Sequence, residues 1–216
     1  MKVNLIRYTP APVELCGEAA AICTNYDDYD KALRGALGGG HESVIEHSVF
    51  TFRVEGVSRA LLAQITRHRL ASFSVESQRY VNMSDMQYVT PETIDNDPDL
   101  RFMYADLMDQ IQYFYNEAVK KGVPAEDARF VLPNACCTRL IMTMNVRELK
   151  HFFSLRCCRR AQWEIRELAE EMLRQCTMVA PELFKDAGPG CVRGHCPEGK
   201  KSCGQPRKKG FAMMEV

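Results

Sequence analysis

The feature that most constrains the fold is a change in the spacing of apolar residues along the chain. Phe50, Phe52 and Val54 fall on one face of a segment whose other face is mostly polar, which predicts a half-buried strand ending at Gly56. The segment from Cys136 to Asn145 alternates in the same way. Most other apolar residues recur at helical spacing. The sequence therefore predicts an α+β fold in which a small central antiparallel or mixed sheet packs with several helices.

Glycine, proline and capping residues divide the rest of the chain into one further strand and a series of helices. In the helix that Asp97 opens and Gly122 closes, Leu100, Met103, Leu107, Ile111, Phe114 and Ala118 keep to one stripe, which fits either a buried core or a subunit contact. The predicted strand is Val3 to Tyr8, and the other helices are Pro12 to Cys23, Tyr29 to Leu37, Ser58 to Arg67, a short helix from Pro124, Val146 to Leu155 and Ala161 to Val179.

Composition limits the classes of protein to consider. The 216 residues are 46% hydrophobic, which is enough for a sizeable core, and 28 basic side chains balance 28 acidic ones. A neutral chain has no overall attraction for nucleic acid or anionic membranes, so any anion must be bound locally. Because no secretory signal or membrane-length apolar run is visible, we expect a cytoplasmic protein with reduced thiols. The ten cysteines, including the adjacent pair Cys157 and Cys158, are then best interpreted as small apolar side chains.

The composition changes after Phe184. We predict a domain over residues 1–184 and a basic, cysteine- and glycine-rich tail over residues 185–216. Four soft ligands, Cys191, His195, Cys196 and Cys203, lie close together there, but they lack the paired C-x2-C spacing of common zinc sites. Metal binding and a flexible basic tail that orders a neighbouring subunit or attracts folate both remain open, and no metal ligand is assigned.

The densest polar cluster is Arg67, His68 and Arg69, at the end of an apolar helix. Two interpretations fit it: an anion site, or a solvated basic helix end stabilised by the helix dipole. Hydroxyl, amide and guanidinium groups suited to a phosphate and a polar heterocycle follow within about ten residues, namely Ser72, Ser74, Glu76, Ser77, Gln78, Arg79 and Tyr80.

The order of these residues resembles one known family. Arg67-His68-Arg69, seven residues and then Ser77 reproduce the RHR-x7-S signature of the flavin-dependent thymidylate synthases, and Arg79 stands where the family has its next arginine. The resemblance runs from about Leu5 to Leu183. The other matching landmarks are His41 to His47, Arg129 to Pro133, Asn145 to Leu149, Leu155-Arg156 and Ala161 to Ile165.

This resemblance implies the thymidylate synthase complementing protein fold and a homotetramer with shared active sites. It implies the reductive methylation of deoxyuridylate (dUMP) to thymidylate (dTMP), with methylenetetrahydrofolate as carbon donor and NADPH, through FAD, as reductant. It also implies that an arginine activates the uracil, that no cysteine acts as nucleophile, and that neither nucleic acid nor membrane is a partner.

The resemblance assigns roles residue by residue. It implies that Arg156 and Ser77 are catalytic, with Ser77 better interpreted as a substrate-positioning hydroxyl than as a nucleophile. Val75 and His151 depart from residues that are common in the family. The implied substrate contacts are Gln64, Ile65, Thr66, Arg67, Val75, Glu76, Ser77, Gln78, Arg79, Arg129 and Arg156, and the implied FAD contacts are His41, Ser43, Arg67, His68, Arg69, Asn145, Val146, Arg147 and His151.

Two other functions remain as alternatives. One is a nucleic-acid-binding module with a metal-binding, cysteine-rich tail. The other is a flavoprotein of this fold that lacks methylation activity, an option that the departure at Val75 keeps open.

Overall fold

The computed structural model describes residues 1–213 and has an α+β fold, as the sequence predicts. The predicted strands and helices begin and end close to the expected bounds. The observed elements are β1 (Lys2–Tyr8), α1 (Pro12–Thr24), α2 (Tyr29–Gly38), β2 (Val49–Ser58), α3 (Arg59–Ile65), β3 (Ala71–Val75), α4 (Glu92–Asp95), α5 (Pro98–Lys120), α6 (Ala125–Ala128), β4 (Cys137–Asn145), α7 (Val146–Arg156), α8 (Trp163–Val179) and α9 (Pro181–Phe184), with short 3-10 helices at Glu42–His47, Arg129–Val131, Gly190–Arg193, Gly199–Lys201 and Phe211–Met213. Of the strands and α-helices, β3, α4 and α9 were not predicted.

Four strands form one antiparallel sheet in the order β1-β2-β4-β3. The edge strand β3 was not predicted, although Ala71, Phe73 and Val75 alternate with serines in the manner of a strand. At five residues it is short, and it follows the basic cluster directly. The alternation was therefore a usable signal, and only pairing within the sheet makes so short a segment regular.

Side-chain caps stand at the starts of several helices, and the sequence indicated two of them, Ser58 and Asp97. The Ser58 hydroxyl accepts a hydrogen bond from the Leu61 backbone N–H at 3.0 Å. The Asp97 carboxylate accepts from two backbone N–H groups at the start of α5. The Asn145 amide oxygen accepts from the Glu148 N–H at 2.9 Å and opens α7. Each cap satisfies backbone donors that have no partner inside the helix.

The chain divides into two compact units. The first unit comprises Met1–Lys2, Val54–Gln64 and Ser74–Leu140. Its core includes Met83, Met86, Met108, Tyr115 and Cys136, and the Tyr115 hydroxyl accepts a hydrogen bond from the Met83 N–H at 3.3 Å.

Helix α5, in this first unit, does not bury the stripe that the sequence marks on it. Its buried residues are Met108 and Tyr115. Met103 is 64% exposed, and Leu100, Leu107 and Phe114 are about half exposed or more. The interpretation as core is therefore wrong in the single chain for these four residues, whereas Ile111 and Ala118 lie partly buried against the core. For the exposed four a subunit contact remains a prediction.

The second unit comprises Val3–Arg53, Ile65–Phe73 and the chain from Ile141 onward. Phe50, Phe153 and Phe184 form a cluster of edge-to-face ring contacts in its core. On α8 the predicted stripe is buried, including Ile165, Leu168, Met172 and Cys176. Helix α7 lies in the same unit and carries most of the side chains described below.

The segment after Phe184 packs more closely than a flexible tail. As far as residue 213 it forms three short 3-10 helices, without α-helix or strand. Arg207 and Phe211 are buried, with the Arg207 guanidinium over the Phe211 ring and paired with Glu170. Residues 214–216 of the predicted tail lie outside the described part of the chain. The domain boundary at residue 184 stays a prediction.

Two further observations concern the thiols and the helices. The ten cysteines, all within the described residues, are thiols, and four of them are fully buried: Cys16, Cys136, Cys157 and Cys176. Burial raises the pKa of each of these four groups, which suits structural rather than reactive thiols. No helix within residues 1–213 combines the length and the apolarity needed to cross a membrane.

Candidate functional site

A buried chain of hydrogen bonds links three residues of the second unit. His68 Nδ1 lies 2.8 Å from Glu148 Oε1, and Arg156 Nε donates to His68 Nε2 at 3.2 Å. His68 and Glu148 are 5% and 6% exposed. Phe152 covers the imidazole, with the ring centroids 4.9 Å apart. The side chains are held in a dry environment, where each of these hydrogen bonds counts for more than in water.

The arrangement assigns the proton on His68. Because Arg156 Nε donates to Nε2, that nitrogen must carry the lone pair, and Nδ1 must donate its proton to the Glu148 carboxylate. The imidazole is therefore neutral. Burial lowers the pKa of His68, the hydrogen bond to Glu148 opposes this, and the charge of Arg156 lowers it further. With both ring nitrogens bonded, His68 has no free nitrogen to act as a base toward a hydroxyl.

Helix α7 explains why these groups meet. Residues 148, 152 and 156 are spaced by four, so Glu148, Phe152 and Arg156 lie on one face of the helix on successive turns. The Asn145 cap fixes the first turn of that helix. The N-x-R-x-L landmark thus contains both the helix cap and the acidic partner of His68.

The surroundings of Arg156 destabilise its positive charge. Partial burial, followed by the nearby charge of Arg67, lowers the pKa of Arg156. Two cations held close together and partly removed from water favour an anion between or beside them, since an anion relieves both effects. The anion-site interpretation of the basic cluster is the one that this geometry favours.

An open cleft of about 790 Å³ lies beside this chain of hydrogen bonds, within the second unit. Asn145, Arg147, Glu148 and His151 line it, together with Leu70, and three of these five are predicted FAD contacts. Arg147 Nη1 donates to Glu46 at 2.5 Å, and this hydrogen bond raises the pKa of Arg147. The volume falls in the usual range for ligand sites, about 300 to 1,000 Å³.

The first unit contains most of the predicted nucleotide contacts. Glu76 pairs with Arg139 at 3.0 Å, and the Ser77 hydroxyl accepts a hydrogen bond from the Arg79 backbone N–H at 3.3 Å. Gln78 is buried and its side-chain amide lies 3.5 Å from Cys136 Sγ. Ser77 thereby shapes the turn that presents Arg79.

Two predicted substrate-binding arginines meet at one residue of the first unit. Arg79 contacts the Glu126 carboxylate through Nε at 3.0 Å and Nη2 at 2.9 Å. Arg129 Nε donates to the Glu126 backbone carbonyl at 3.1 Å. Glu126 was not predicted. Both Arg79 contacts are made to one carboxylate oxygen, Oε2, and the same two donors can bind a phosphate oxygen.

The remaining predicted contacts differ in exposure. Ile65 and Val146 are fully buried, so only their backbone is available: the Ile65 carbonyl accepts from the His68 N–H, and the Val146 N–H donates to Ser48. Gln64 and Val75 are partly buried. The exposed predicted residues are His41, Ser43, Thr66, Arg67, Arg69 and His151.

Sequence reasoning missed Glu148 and Glu126. Glu148 carried a signal, because an acidic residue three positions after a helix-capping Asn145, and eight positions before Arg156, faces the same side of the helix. Glu126 carried none, since its pairing with Arg79 joins residues 47 apart in sequence.

Comparison with known proteins identifies the class. The family model described as thymidylate synthase complementing protein matches residues 4–182. A flavin-dependent thymidylate synthase from Geobacter sulfurreducens is 47% identical over 232 aligned positions, which cover 100% of both chains. One from Clostridium tetani is 45% identical over 235 positions, covering 95% of this chain and 94% of the relative.

A solved structure has the same fold. It is the flavin-dependent thymidylate synthase ThyX from Helicobacter pylori, complexed with FAD and dUMP, with a TM-score of 0.71 and 25% identity, covering 87% of this chain and 100% of that one. The chain belongs to the thymidylate synthase complementing protein family. It is an enzyme of the flavin-dependent thymidylate synthase class, which confirms the resemblance drawn from the sequence. Neither alternative function finds support in these comparisons.

Proposed function

We propose that this protein makes dTMP from dUMP, taking a methylene group from methylenetetrahydrofolate and reducing power from NADPH through FAD. The observation that supports this most directly is the position of Arg156: its Nε is held by a neutral, buried His68, close to the charge of Arg67. A guanidinium oriented in this way is suited to an anionic or polarised ring.

Arg156 is the residue that we assign to uracil activation. A fixed cation beside the uracil edge favours loss of the imide proton and raises electron density at the ring carbon that is methylated. Because burial and Arg67 destabilise the cation, an anion forming beside it restores a favourable balance of charge. The Nε–H is bonded to His68, so the two terminal amino groups are directed elsewhere in the guanidinium plane.

Arg79 and Arg129 are proposed to hold the phosphate. Binding would replace or share the contacts that Arg79 makes with Glu126, since one guanidinium fork cannot fully satisfy both anions. Ser77, whose hydroxyl accepts from the Arg79 N–H, is proposed to position the nucleotide and not to act as a covalent catalyst.

The cleft beside α7 suits FAD by the chemistry of its lining. Guanidinium, amide and imidazole donors from Arg147, Asn145 and His151 match pyrophosphate and polar ring edges, and the volume of about 790 Å³ is adequate. Four carboxylates also line the cleft, those of Glu42, Glu46, Glu148 and Asp186. All but Glu148 form ion pairs with Arg147 or Lys150, so a pyrophosphate has to replace some of these pairs. FAD would supply hydride chemistry. His68, neutral and fixed, would contribute shape and hydrogen bonding near this cleft without adding a charge.

The assembly is proposed to be a homotetramer with shared active sites. The exposed apolar side chains of α5 support this, because Phe102 is 75% exposed and Met103 64% exposed on a helix that the single chain leaves uncovered. Large exposed apolar patches mark interaction sites. We place the enzyme in the cytoplasm, where NADPH, folate and dUMP are available, with neither nucleic acid nor membrane as a partner.

The test starts with the purified protein. Its absorption spectrum, before and after incubation with FAD, shows whether flavin binds, and dUMP-dependent oxidation of NADPH with dTMP formation then shows the reaction. A colourless protein that gains no flavin would contradict the proposal. Bound flavin with no dTMP would favour a flavoprotein of this fold without methylation activity.

The phosphate assignment has its own test. Arg79→Ala should weaken dUMP binding by about 2 to 3 kcal/mol, the scale for losing a charged hydrogen-bonding group, as measured by calorimetry. Arg34→Ala removes an exposed arginine from α2, which is no part of the proposed contact face on α5, and serves as the control. Equal affinity in wild type and Arg79→Ala would reject the assignment.

A further inference from the structure

Four cysteines line one cavity of the second unit. The cavity has a volume of about 390 Å³ and lies between the end of α7 and the C-terminal segment. Cys158 comes from the end of α7, and Cys191, Cys196 and Cys203 come from the segment. Three of these are the cysteines that the sequence singled out. His195 is exposed and does not line the cavity, so Cys158 takes the fourth place.

We propose that this cavity binds one zinc ion through the thiolates of Cys158, Cys191, Cys196 and Cys203. Four thiolates form a set that favours a tetrahedral zinc ion, and a closed set without a water position is typical of structural zinc. The site lies outside the proposed nucleotide and FAD contacts, except that Arg156 also borders the cavity. Its role is to hold the segment after Phe184 in place.

The backbone around the thiols supports this role. The Arg207 N–H donates to Cys191 Sγ at 3.3 Å, and the Gln205 N–H donates to Cys203 Sγ at 3.4 Å. Backbone donors of this kind stabilise negative charge on metal-bound sulfur and orient the ligand. Gly204, between Cys203 and Gln205, has a φ of 71°, which allows the tight turn that brings this N–H back to the sulfur.

The arginines around the cavity suit a metal site that carries a net negative charge. Zinc with four thiolates carries two net negative charges, which need nearby cations when partly buried. Arg159, Arg160 and Arg207 line the cavity with Arg156.

The segment is held by a small number of contacts, among them those of Arg207 with Glu170 and Phe211 and the ion pair of Arg160 with Glu198. Between residues 185 and 213 the buried side chains are few, chiefly Ala187, Arg207 and Phe211, and the segment is rich in glycine and proline. Ordering such a chain costs conformational entropy that a small core offsets poorly. Metal binding is a common way for small, loop-rich segments to gain the missing stability.

Binding requires a local adjustment of the thiols. Within the described residues, no three cysteine sulfurs lie within 4.8 Å of one another, whereas sulfurs around a tetrahedral zinc stand about 3.8 Å apart. A change of cysteine rotamer moves the sulfur by about 3 Å. The four side chains must therefore turn toward a common centre as the ion binds, with release of the thiol protons.

The experiment measures metal in the full chain, purified anaerobically under reducing conditions without chelator. Mass spectrometry of the metal content should give about one zinc per chain. After removal of the zinc, addition of Co²⁺ should give the intense visible bands of a tetrahedral cobalt ion and the near-ultraviolet absorption of thiolate ligands. This spectrum reports the ligand set directly and does not depend on activity or on any variant.

Variants then locate the site. Cys191→Ser with Cys203→Ser should lose the zinc and the cobalt spectrum, whereas Cys23→Ser, which removes an exposed thiol from α1, should keep both. Protein without zinc that gives no cobalt spectrum would overturn the proposal, as would a double variant with wild-type metal content. A thiol titration of metal-free protein that finds eight reactive thiols instead of ten would also overturn it, because the two missing thiols would indicate a disulfide.

Discussion

Glu148 offers the sharpest test of how the site is organised. In Glu148→Gln the carboxylate that receives the His68 Nδ1 proton becomes a neutral amide of nearly the same shape. The amide oxygen still accepts the hydrogen bond, but the charge that favours this tautomer is gone. If Glu148 holds His68, and His68 holds Arg156, the substitution should loosen the guanidinium that we assign to uracil activation.

The expected size follows from the contact. A hydrogen bond to a charged group contributes about 1.5 to 3 kcal/mol, roughly twice a neutral one, and this one is 2.8 Å long between two buried side chains, so keeping the bond without the charge should remove about 0.7 to 1.5 kcal/mol. If the loss falls on the transition state, kcat should drop by about 3- to 13-fold, with KM changing less. The pH profile should change as well. Protonation of His68 removes the lone pair that Arg156 needs, so turnover should fall at acidic pH.

The direction of the shift separates this role from simple destabilisation. Glu148 raises the pKa of His68, so removing its charge should lower that pKa and move the acidic limb of the kcat profile to lower pH. NMR titration of the His68 ring checks the same shift without turnover. Glu171→Gln neutralises a glutamate paired with Arg174 on α8 and should leave the limb in place. If the acidic limb of the kcat profile of Glu148→Gln stays at the wild-type pH, or moves to higher pH, the reasoning is refuted.

Three further predictions follow from the same structure. Arg156→Lys should lower kcat more than it weakens dUMP binding, because lysine keeps the charge but loses the planar fork; equal losses in steady-state kinetics and calorimetry would indicate plain binding. The pKa of His68 is lowered in the folded state from 6.5, so the unfolded state binds the proton more readily. The free energy of unfolding should therefore fall as the pH drops through and below 6.5. Urea melts at pH 7.5 and 5.5 check this, and a His68→Gln variant should lose less stability over that range. Phe102→Glu with Phe114→Glu should dissociate the assembly with little effect on monomer folding, as read by light scattering and circular dichroism, and an unchanged mass would exclude α5 as the contact.

The helices show how far local reasoning extends. Ser58 and Asp97 could be recognised as caps because a cap acts on backbone groups two or three residues away. The α8 stripe is buried as expected. The α5 stripe has the same spacing but is exposed, because periodicity shows that a helix has an apolar face and does not show whether its own chain covers that face.

Some features of the candidate site likewise follow from the local sequence, and others depend on tertiary packing. The RHR cluster and the order of landmarks identify the family and the residue types at the site, since these are properties of the linear pattern. The pairing of Arg79 with Glu126 and of His68 with Glu148 joins residues 47 and 80 apart. No local rule predicts such contacts, because they depend on how the elements pack.

The sequence alone determined the fold class, the positions of the main helices and of three of the four strands, and the family, because apolar spacing and residue order are local properties. The tertiary structure decided that His68 is buried and neutral, that Glu148 orients it toward Arg156, and that Cys158 joins the three cysteines of the C-terminal segment around one cavity. Burial and proximity set protonation states and ligand sets, and both arise only when distant parts of the chain pack together.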